Sequence, residues 1–233
     1  MDYENLLKFF GDNFIGWLRV TFLTLARPVS RFELTPVDDL PGLIAPEARS
    51  EQQLWLNPRL IVFAVISIIL GVTVNALIPE RETSPALFTT ITVILFYWFV
   101  RGSLLYVVCW LLQGTGRYLD TLSVSIQVFG TIYVVASFLS LLGTSVLSPD
   151  TISELTRGLP VTKGFGPILL FFFVGNLLLI IYMPLAMKPV HKFDWARTAA
   201  LFVVWATLLI LLFCLIDWPL YLSIHILAGI HIH

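Results

Sequence analysis

Five long runs of apolar residues, separated by short polar segments, dominate the hydrophobic pattern of this chain. Each run is long enough to span a bilayer, because about twenty residues with a helical rise of 1.5 Å per residue cross a hydrocarbon core of roughly 30 Å. The pattern therefore predicts five transmembrane helices. Their predicted bounds are Leu60–Ile78, Leu87–Leu112, Thr121–Leu142, Pro167–Met187 and Trp195–Ile216.

Polar residues in front of the runs predict where several helices begin. Asn57 and Pro58 combine a capping residue with a proline at the first helical position. Asp120 and Asp194 each precede a run. A carboxylate at such a position accepts hydrogen bonds from free backbone N–H groups and faces the positive end of the helix dipole. We expect Gly143 to end the third span.

The two turns that carry these aspartates have similar sequences, Arg117-Tyr118-Leu119-Asp120 and Lys192-Phe193-Asp194. An internal repeat would explain the similarity. Two interfacial turns that face the same compartment would also converge on a basic residue, an aromatic residue and a capping acid, and we favour this second explanation.

The N-terminal segment differs from the five runs, because charges interrupt it too often for a span. From about Asn5 to Leu25 its apolar residues have helical spacing, which predicts an amphipathic helix. This helix lies either in the headgroup region of the membrane or against the cytosolic face of the protein itself. Prolines then punctuate the chain from Arg27 to Asn57, which is typical of an extended linker or docking arm.

Composition supports an all-α, polytopic membrane protein. The chain of 233 residues is 58% hydrophobic and 12% charged, with a mean hydropathy of +0.88, whereas soluble domains average about 45–50% apolar and about 25% charged residues. We expect a cytosolic part at residues 1–57, a five-helix transmembrane domain at residues 58–216 and a short C-terminal interfacial segment at residues 217–233. No extended basic surface suits nucleic acid.

The distribution of lysine and arginine predicts the orientation, because cytoplasmic loops retain these residues. With five spans, the side of the N-terminus holds Lys8, Arg19, Arg27, Arg31, Arg49, Arg59, Arg117, Lys188, Lys192 and Arg197. The opposite side holds only Arg81, Arg157 and Lys163. We therefore expect a cytoplasmic N-terminus and a periplasmic, extracellular or lumenal C-terminus.

The order of short motifs points to a known family. Asn57-Pro58 opens the first span, and a glycine-containing turn leads into the third span. The motifs in that region are Gln113-Gly114-Thr115-Gly116-Arg117, Leu122-Ser123-Val124, Gly130 and Tyr133. From roughly Arg27 to Ile216 the chain resembles the Yip family of Ypt/Rab-interacting membrane proteins, especially its prokaryotic members. The resemblance implies a Yip-domain scaffold or adaptor in the membrane, with no catalytic residues.

Arg101 is the most unusual polar residue, because it lies inside the second apolar run. An arginine at the centre of a span costs roughly 2.5–3.5 kcal/mol on insertion scales. One hypothesis makes Arg101 a ligand for an anion or a lipid headgroup in a central cavity, with Gln127 and Asn176 as neighbours. The alternative, which we favour, is that Arg101 bonds to carbonyls or snorkels along a tilted helix.

The C-terminal histidines are the second candidate site. Imidazole binds metals and tetrapyrroles, so His225 and His231 are candidate ligands. No acid or cysteine accompanies them in the sequence, and we favour a role as interfacial polar groups. Cys109 and Cys214 both lie in apolar runs without CxxC spacing, which is typical of packing residues.

No motif of an enzyme is present, whether GxSxG, HExxH or a Walker loop. Carboxylates that would couple transport to protons are also missing from the runs. The sequence therefore predicts no enzymatic activity and no cofactor, and the resemblance to the Yip family implies a scaffold or adaptor. Its expected partners are the lipid bilayer and proteins bound by the N-terminal arm or within the membrane. The alternatives are a structural subunit of a larger complex, and a solute or lipid pathway centred on Arg101.

Overall fold

The computed structural model describes residues 3–29, 58–77, 87–146 and 165–214, and this part of the chain contains six helices. They are α1 (Tyr3–Ala26), α2 (Pro58–Ala76), α3 (Leu87–Leu111), α4 (Tyr118–Val146), α5 (Phe165–His191) and α6 (Trp195–Leu212). No strand occurs within these ranges. The predicted all-α class is therefore confirmed, and the C-terminal segment 217–233 lies outside the described residues.

Four helices of the described chain are long and apolar enough to cross a membrane. Their apolar stretches are Thr92–Leu111, Tyr118–Gly143, Phe173–His191 and Trp195–Leu212. The apolar stretch of α2, Leu60–Val74, is shorter than these four. Four of the five predicted spans are thus helices that could cross a membrane, and the count of five stays a prediction.

Two predicted helix starts are confirmed. Pro58 is the first residue of α2. Asp194 is the N-cap of α6, and its Oδ1 accepts a hydrogen bond of 2.8 Å from the backbone N–H of Arg197. A short polar side chain can therefore be placed correctly as a cap where it is followed directly by an apolar run.

The helix α4 extends beyond the predicted third span in both directions, although its apolar stretch ends at Gly143 as predicted. The helix begins at Tyr118, since the backbone N–H and the hydroxyl of Thr121 both donate to the carbonyl of Arg117 at 3.0 Å. Asp120 lies inside the first turn, where its charge still faces the helix dipole. At the other end, the helix continues through Gly143, since a single helical glycine costs only about 1 kcal/mol.

The central element of the bundle is α4. Its apolar stretch is 72% buried, whereas the stretches of α3, α5 and α6 are 22–28% buried. α4 packs most extensively on α5 and α2, and it also contacts α3 and α1. α6 packs on α5 and α3. The Arg101-Gly102 pair does not interrupt α3, and a Cβ atom at Gly102 would lie 2.8 Å from Leu122 Cδ1 of α4.

The outward faces of α3, α5 and α6 are apolar. Large exposed side chains on these helices include Phe96, Trp110, Phe173, Val203 and Ile210. Water would solvate such a surface poorly, whereas acyl chains would not. These faces are therefore consistent with contact to a lipid bilayer.

α1 packs along the side of the bundle. Trp17 Nε1 donates a hydrogen bond of 2.7 Å to Ser67 Oγ, in the middle of α2, and Trp17 also packs against Phe63. Further along α1, Tyr182 Oη of α5 donates to the carbonyl of Leu25 at 3.2 Å. The sequence predicts this helix either in the headgroup region or on the cytosolic face of the protein. Contact with the middle of α2 is part of neither prediction.

Substitution of Trp17 is expected to release α1. Trp17→Phe removes one hydrogen bond, worth about 1 kcal/mol, while the Ser67 hydroxyl still donates to the carbonyl of Phe63. Trp17→Ala also leaves a cavity and should cost about 3–5 kcal/mol. The measurement is the rate of trypsin cleavage at Arg19 of the purified protein, because Arg19 is exposed on α1.

The matched control is Ile15→Ala, because Ile15 lies on the exposed face of the same helix. Cleavage should be fastest for Trp17→Ala, intermediate for Trp17→Phe, and unchanged for Ile15→Ala. Equal cleavage rates for the two alanine variants would show that Trp17 does not anchor α1.

Candidate functional site

The turns α3–α4 and α5–α6 are joined to each other at one end of the bundle. The backbone N–H and the hydroxyl of Thr115 both lie 3.3 Å from the carbonyl oxygen of His191 and donate to it. We call the group formed by Gly114, Thr115, Gly116, Thr121 and His191 the turn lock.

The imidazole of His191 completes the turn lock. Its Nδ1 accepts a hydrogen bond of 3.2 Å from the backbone N–H of Gly116, so this nitrogen carries no proton. The proton of the neutral ring is then on Nε2, which donates to Thr121 Oγ1 at 2.8 Å. The hydroxyl of Thr121 in turn donates a hydrogen bond to the carbonyl of Arg117. Each donor is thereby used once, and the ring is 1% exposed.

Both turns follow helices that end in the same way. Gln113 and Lys192 have positive φ angles of 62° and 54°. The next residue in each turn donates back to a carbonyl five positions earlier, Gly114 to Cys109 and Phe193 to Lys188, both at 2.9 Å. These are the bonds of a Schellman cap. In this geometry Lys192 ends α5, whereas Arg117 precedes α4, so the similar sequences around the two aspartates do not occupy equivalent positions.

Glycine is required where the α3–α4 turn meets His191. A Cβ atom on Gly114 would collide with His191 Nδ1, and one on Gly116 would lie 2.8 Å from the carbonyl oxygen of Val190. Real Cβ atoms essentially never approach backbone oxygens so closely. The two glycines therefore allow the turn to approach the imidazole.

Aromatic side chains surround the turn lock. Phe193 stacks on the His191 ring with centroids 5.4 Å apart and an interplanar angle of 18°. Tyr106 meets the edge of Tyr118 at 5.2 Å, and Tyr118 Oη lies 2.8 Å from Ser103 Oγ. This packing helps to bury the imidazole of His191, whose hydrogen bond with Thr121 is thereby strengthened.

Four cationic side chains lie on the two locked turns and on the helix ends that adjoin them, and we call them the cationic turn face. They are Arg117, Lys188, Lys192 and Arg197. Three are exposed, and the fourth, Lys188, is half-buried with its Nζ 4.5 Å above the ring of Trp195. Arg197 Nη2 reaches Gln113 Oε1 at 3.5 Å, which adds a contact between the turns.

Arg101 faces the interior of the bundle, where it is 5% exposed. Its guanidinium donates to the hydroxyl of Tyr97, and its Cζ lies 4.1 Å from the centroid of the same ring. A tyrosine one helical turn away thus supplies both a hydrogen bond and a cation–π contact. Arg101 is thus held by a group of its own helix, as in the structural alternative that we favour from the sequence. Its partner is a tyrosine, however, and not a carbonyl.

Gln127 lies at the depth of Arg101. Trp98 of α3 stacks on Phe129 of α4, and Gly102 meets Leu122 and Ser125, so Arg101 is level with the α4 residues between them. Gln127 is 5% exposed, and its Oε1 has no hydrogen-bond partner among the described residues.

Asn176 does not lie at the depth of Gln127. The neighbouring Gly175 faces Ala136, whereas His191 faces Thr121 near the other end of the same pair of helices. Along α4 this places Asn176 about 13 Å from Gln127 at 1.5 Å per residue. Of the three residues predicted to form a ligand site, the structure brings two to one depth and separates the third.

The other predicted ligands stay untested. His225 and His231 lie outside the described residues. Within residues 3–29, 58–77, 87–146 and 165–214 no three histidine, cysteine, aspartate or glutamate side chains are grouped to hold a metal ion. Cys109 is buried and Cys214 is exposed.

His191 is the residue that the sequence analysis missed. It ends a helix after Pro189 and belongs to no motif, so its own neighbours give no signal. The signal lies in the α3–α4 turn, where Gly114 and Gly116 flank Thr115. Neither glycine is needed for a positive φ angle, so another reason for the pair must exist. Paired glycines of this kind mark the close approach of another group.

Comparison with known proteins gives no match, since no family model, no curated protein and no solved structure is similar to the chain. The resemblance to the Yip family accordingly stays a sequence-based expectation.

Proposed function

We propose that this protein is a non-enzymatic integral membrane scaffold or adaptor of the Yip type. The observation that supports the proposal best is the turn lock, which joins two helical hairpins through a buried histidine. It holds the cationic turn face in one arrangement at one end of the bundle. α2 begins at the same end, since it runs parallel to α4, with Phe63 near Gly130 and Gly71 near Tyr133. The first residue of α2, Pro58, therefore lies at the end of the bundle that carries this surface.

The use of hydroxyl groups also favours a scaffold. Several hydroxyls in the described helices donate to the carbonyl four residues earlier, which is a structural use of a group that an enzyme could employ as a nucleophile. These hydroxyls belong to Thr73, Ser103, Ser125, Ser137 and Thr207. Together with the outward apolar faces, they fit a protein that positions others.

The scaffold proposal is tested by site-specific photocrosslinking in intact membranes. A photoreactive phenylalanine analogue is placed at Phe32 in the arm, at Lys192 in the turn face, and at Leu147 beyond α4 as the control. We expect discrete protein adducts from the first two positions and none from the control. The same adducts from all three positions, or none from the arm and the turn face, would contradict the proposal.

We further propose that the N-terminus and both turns are cytoplasmic, following the distribution of lysine and arginine. A membrane-impermeant thiol reagent should then label a cysteine introduced at Ser148 from the outside of intact cells. The same reagent should reach a cysteine at Lys192 only after the membrane is opened. The opposite labelling pattern would reverse the orientation.

A second candidate function is a solute or lipid pathway centred on Arg101. The observation that favours it is that Oε1 of Gln127, buried at the depth of Arg101, has no hydrogen-bond partner within the described ranges. Arg101→Ala should then lower the flux of a small anion such as chloride in reconstituted liposomes. Thr207→Val is the control, since Thr207 is exposed on α6. Equal flux in the parent and Arg101→Ala would remove this candidate.

A further inference from the structure

We propose that the cationic turn face binds the headgroups of anionic phospholipids. The protein would thereby hold acidic lipids at the end of the bundle where the two turns are locked together. This inference goes beyond the scaffold proposal and requires no protein partner.

The charge of the two turns favours an anionic ligand. Besides the four cations, the turns carry two carboxylates, those of Asp120 and Asp194, so the net charge of these six side chains is +2. The carboxylate of Asp194 is already directed to the backbone N–H of Arg197 as the cap of α6. The imidazole of His191 contributes no charge in the hydrogen-bonded tautomer described above. Positive charge is thus left over at the surface, where Arg117, Lys192 and Arg197 are exposed.

The cations lie at the ends of the apolar helices, where the headgroups of a surrounding bilayer would be. Lys188 lies in the last turn of α5, Arg197 lies in the first turn of α6, and Arg117 directly precedes α4. All three are therefore at the ends of apolar helices. Trp195 is 65% exposed beside them, and tryptophan favours the boundary between headgroups and acyl chains. Basic groups at this boundary attract anionic lipids.

The fixed arrangement of the two turns favours specific binding of a lipid over non-specific electrostatic attraction. The turn lock and the contact between Arg197 and Gln113 fix the two turns relative to each other before any lipid arrives. Binding therefore costs little additional ordering of the backbone. A soluble protein partner would meet an exposed tryptophan and apolar helix ends next to the charges, whereas a phospholipid offers a phosphate and an acyl chain in that order. At the level of Trp195 the lipid is therefore the better match, whereas a protein partner of the scaffold would contact the same turns from the water side.

The experiment measures the preference of the full-length protein for phosphatidylglycerol over phosphatidylcholine in lipid nanodiscs. Brominated phosphatidylglycerol quenches nearby tryptophans, and the difference between each protein and its Trp195→Phe derivative isolates the signal at Trp195. We expect the parent to reach half-maximal quenching at a low fraction of the anionic lipid. The triple variant Arg117→Gln, Lys192→Gln, Arg197→Gln should need at least about a tenfold higher fraction, because each basic residue near an anionic surface contributes to the attraction. Its Lys188–Trp195 contact and its turn lock are left in place.

The control variant neutralises the three cations predicted on the opposite side, Arg81→Gln, Arg157→Gln and Lys163→Gln, and it should quench as the parent does. Equal half-maximal fractions for both triple variants would overturn the proposal. An unchanged lipid preference of the turn variant, together with loss of its protein crosslinks, would instead assign the face to a protein partner. Should the turn variant not fold, the parent decides, because its lipid preference must weaken at high salt. A salt-independent preference would also overturn the proposal.

Discussion

His191→Ala is expected to lower the stability of the folded protein by about 3 kcal/mol, with Phe193 losing its stacked partner. The substitution leaves the backbone N–H of Gly116 and the hydroxyl of Thr121 without the imidazole that they contact. It also opens a cavity at a side chain that is 1% exposed. The measurement is the midpoint of thermal unfolding in a mild detergent, followed by circular dichroism.

His191→Asn separates the two contributions. The asparagine Oδ1 occupies roughly the position of Nδ1 and can still accept from Gly116, whereas the contact with Thr121 is lost. Its midpoint should therefore fall between those of the parent and the alanine variant. Lys192→Ala is the control, because Lys192 is the next residue, is exposed and keeps its backbone conformation with another non-glycine residue.

Two results would contradict the role of His191. If His191→Ala unfolds at the temperature of Lys192→Ala, the imidazole does not hold the turns together. If the asparagine variant is no more stable than the alanine variant, the hydrogen bond from Gly116 contributes nothing and only the volume of the ring matters.

The hydrophobic runs predict the membrane helices because a backbone segment in lipid must form its hydrogen bonds internally, and an α-helix does so within one run. α3 begins at Leu87 as predicted, and α6 begins at Trp195 behind its aspartate cap. The start of the third span is predicted three residues too late, at Thr121, because hydrogen bonds to the carbonyl of Arg117 begin α4 at Tyr118. Local polar contacts thus set the helix ends.

Contacts between distant residues could not be predicted in the same way. Thr121 and His191 are seventy positions apart, and no periodic pattern relates them. The docking of Trp17 on Ser67 is of the same kind, since a serine within an apolar run gives no sign of its partner. The sequence identifies Arg101 because a charge is costly within a membrane span. It does not identify Tyr97 as the residue whose hydroxyl accepts a hydrogen bond from the guanidinium.

The turn lock and the packing of α4 have different consequences for function. Loss of the lock would let the two turns move apart and would spread the cationic turn face, with the helices still in the membrane. Loss of close packing at α4 would instead affect α2 and α1, which both rest on it. Variants at the two places should therefore separate lipid binding from docking of the N-terminal helix.

Gly130→Leu is expected to have the second large effect, a loss of about 3 kcal/mol in stability together with release of α1. A Cβ atom at Gly130 would lie 2.8 Å from Ser67 Oγ and 2.9 Å from Phe63 Cε1. Both neighbours belong to α2, so the added side chain must push α2 away from α4. Small residues at helix interfaces allow the close approach that a larger residue prevents.

The release of α1 follows because Ser67 is also the acceptor for the indole of Trp17. Gly130→Leu should therefore accelerate trypsin cleavage at Arg19 as Trp17→Ala does, although residue 130 is not on α1. Gly175→Ala is the control in α5, since its Cβ atom would meet Ala136 Cβ at an ordinary 3.5 Å. That variant should keep its stability or gain up to about 1 kcal/mol from lower backbone entropy. A Gly130→Leu protein that is less stable but still resists trypsin at Arg19 would show that α1 is held without Ser67.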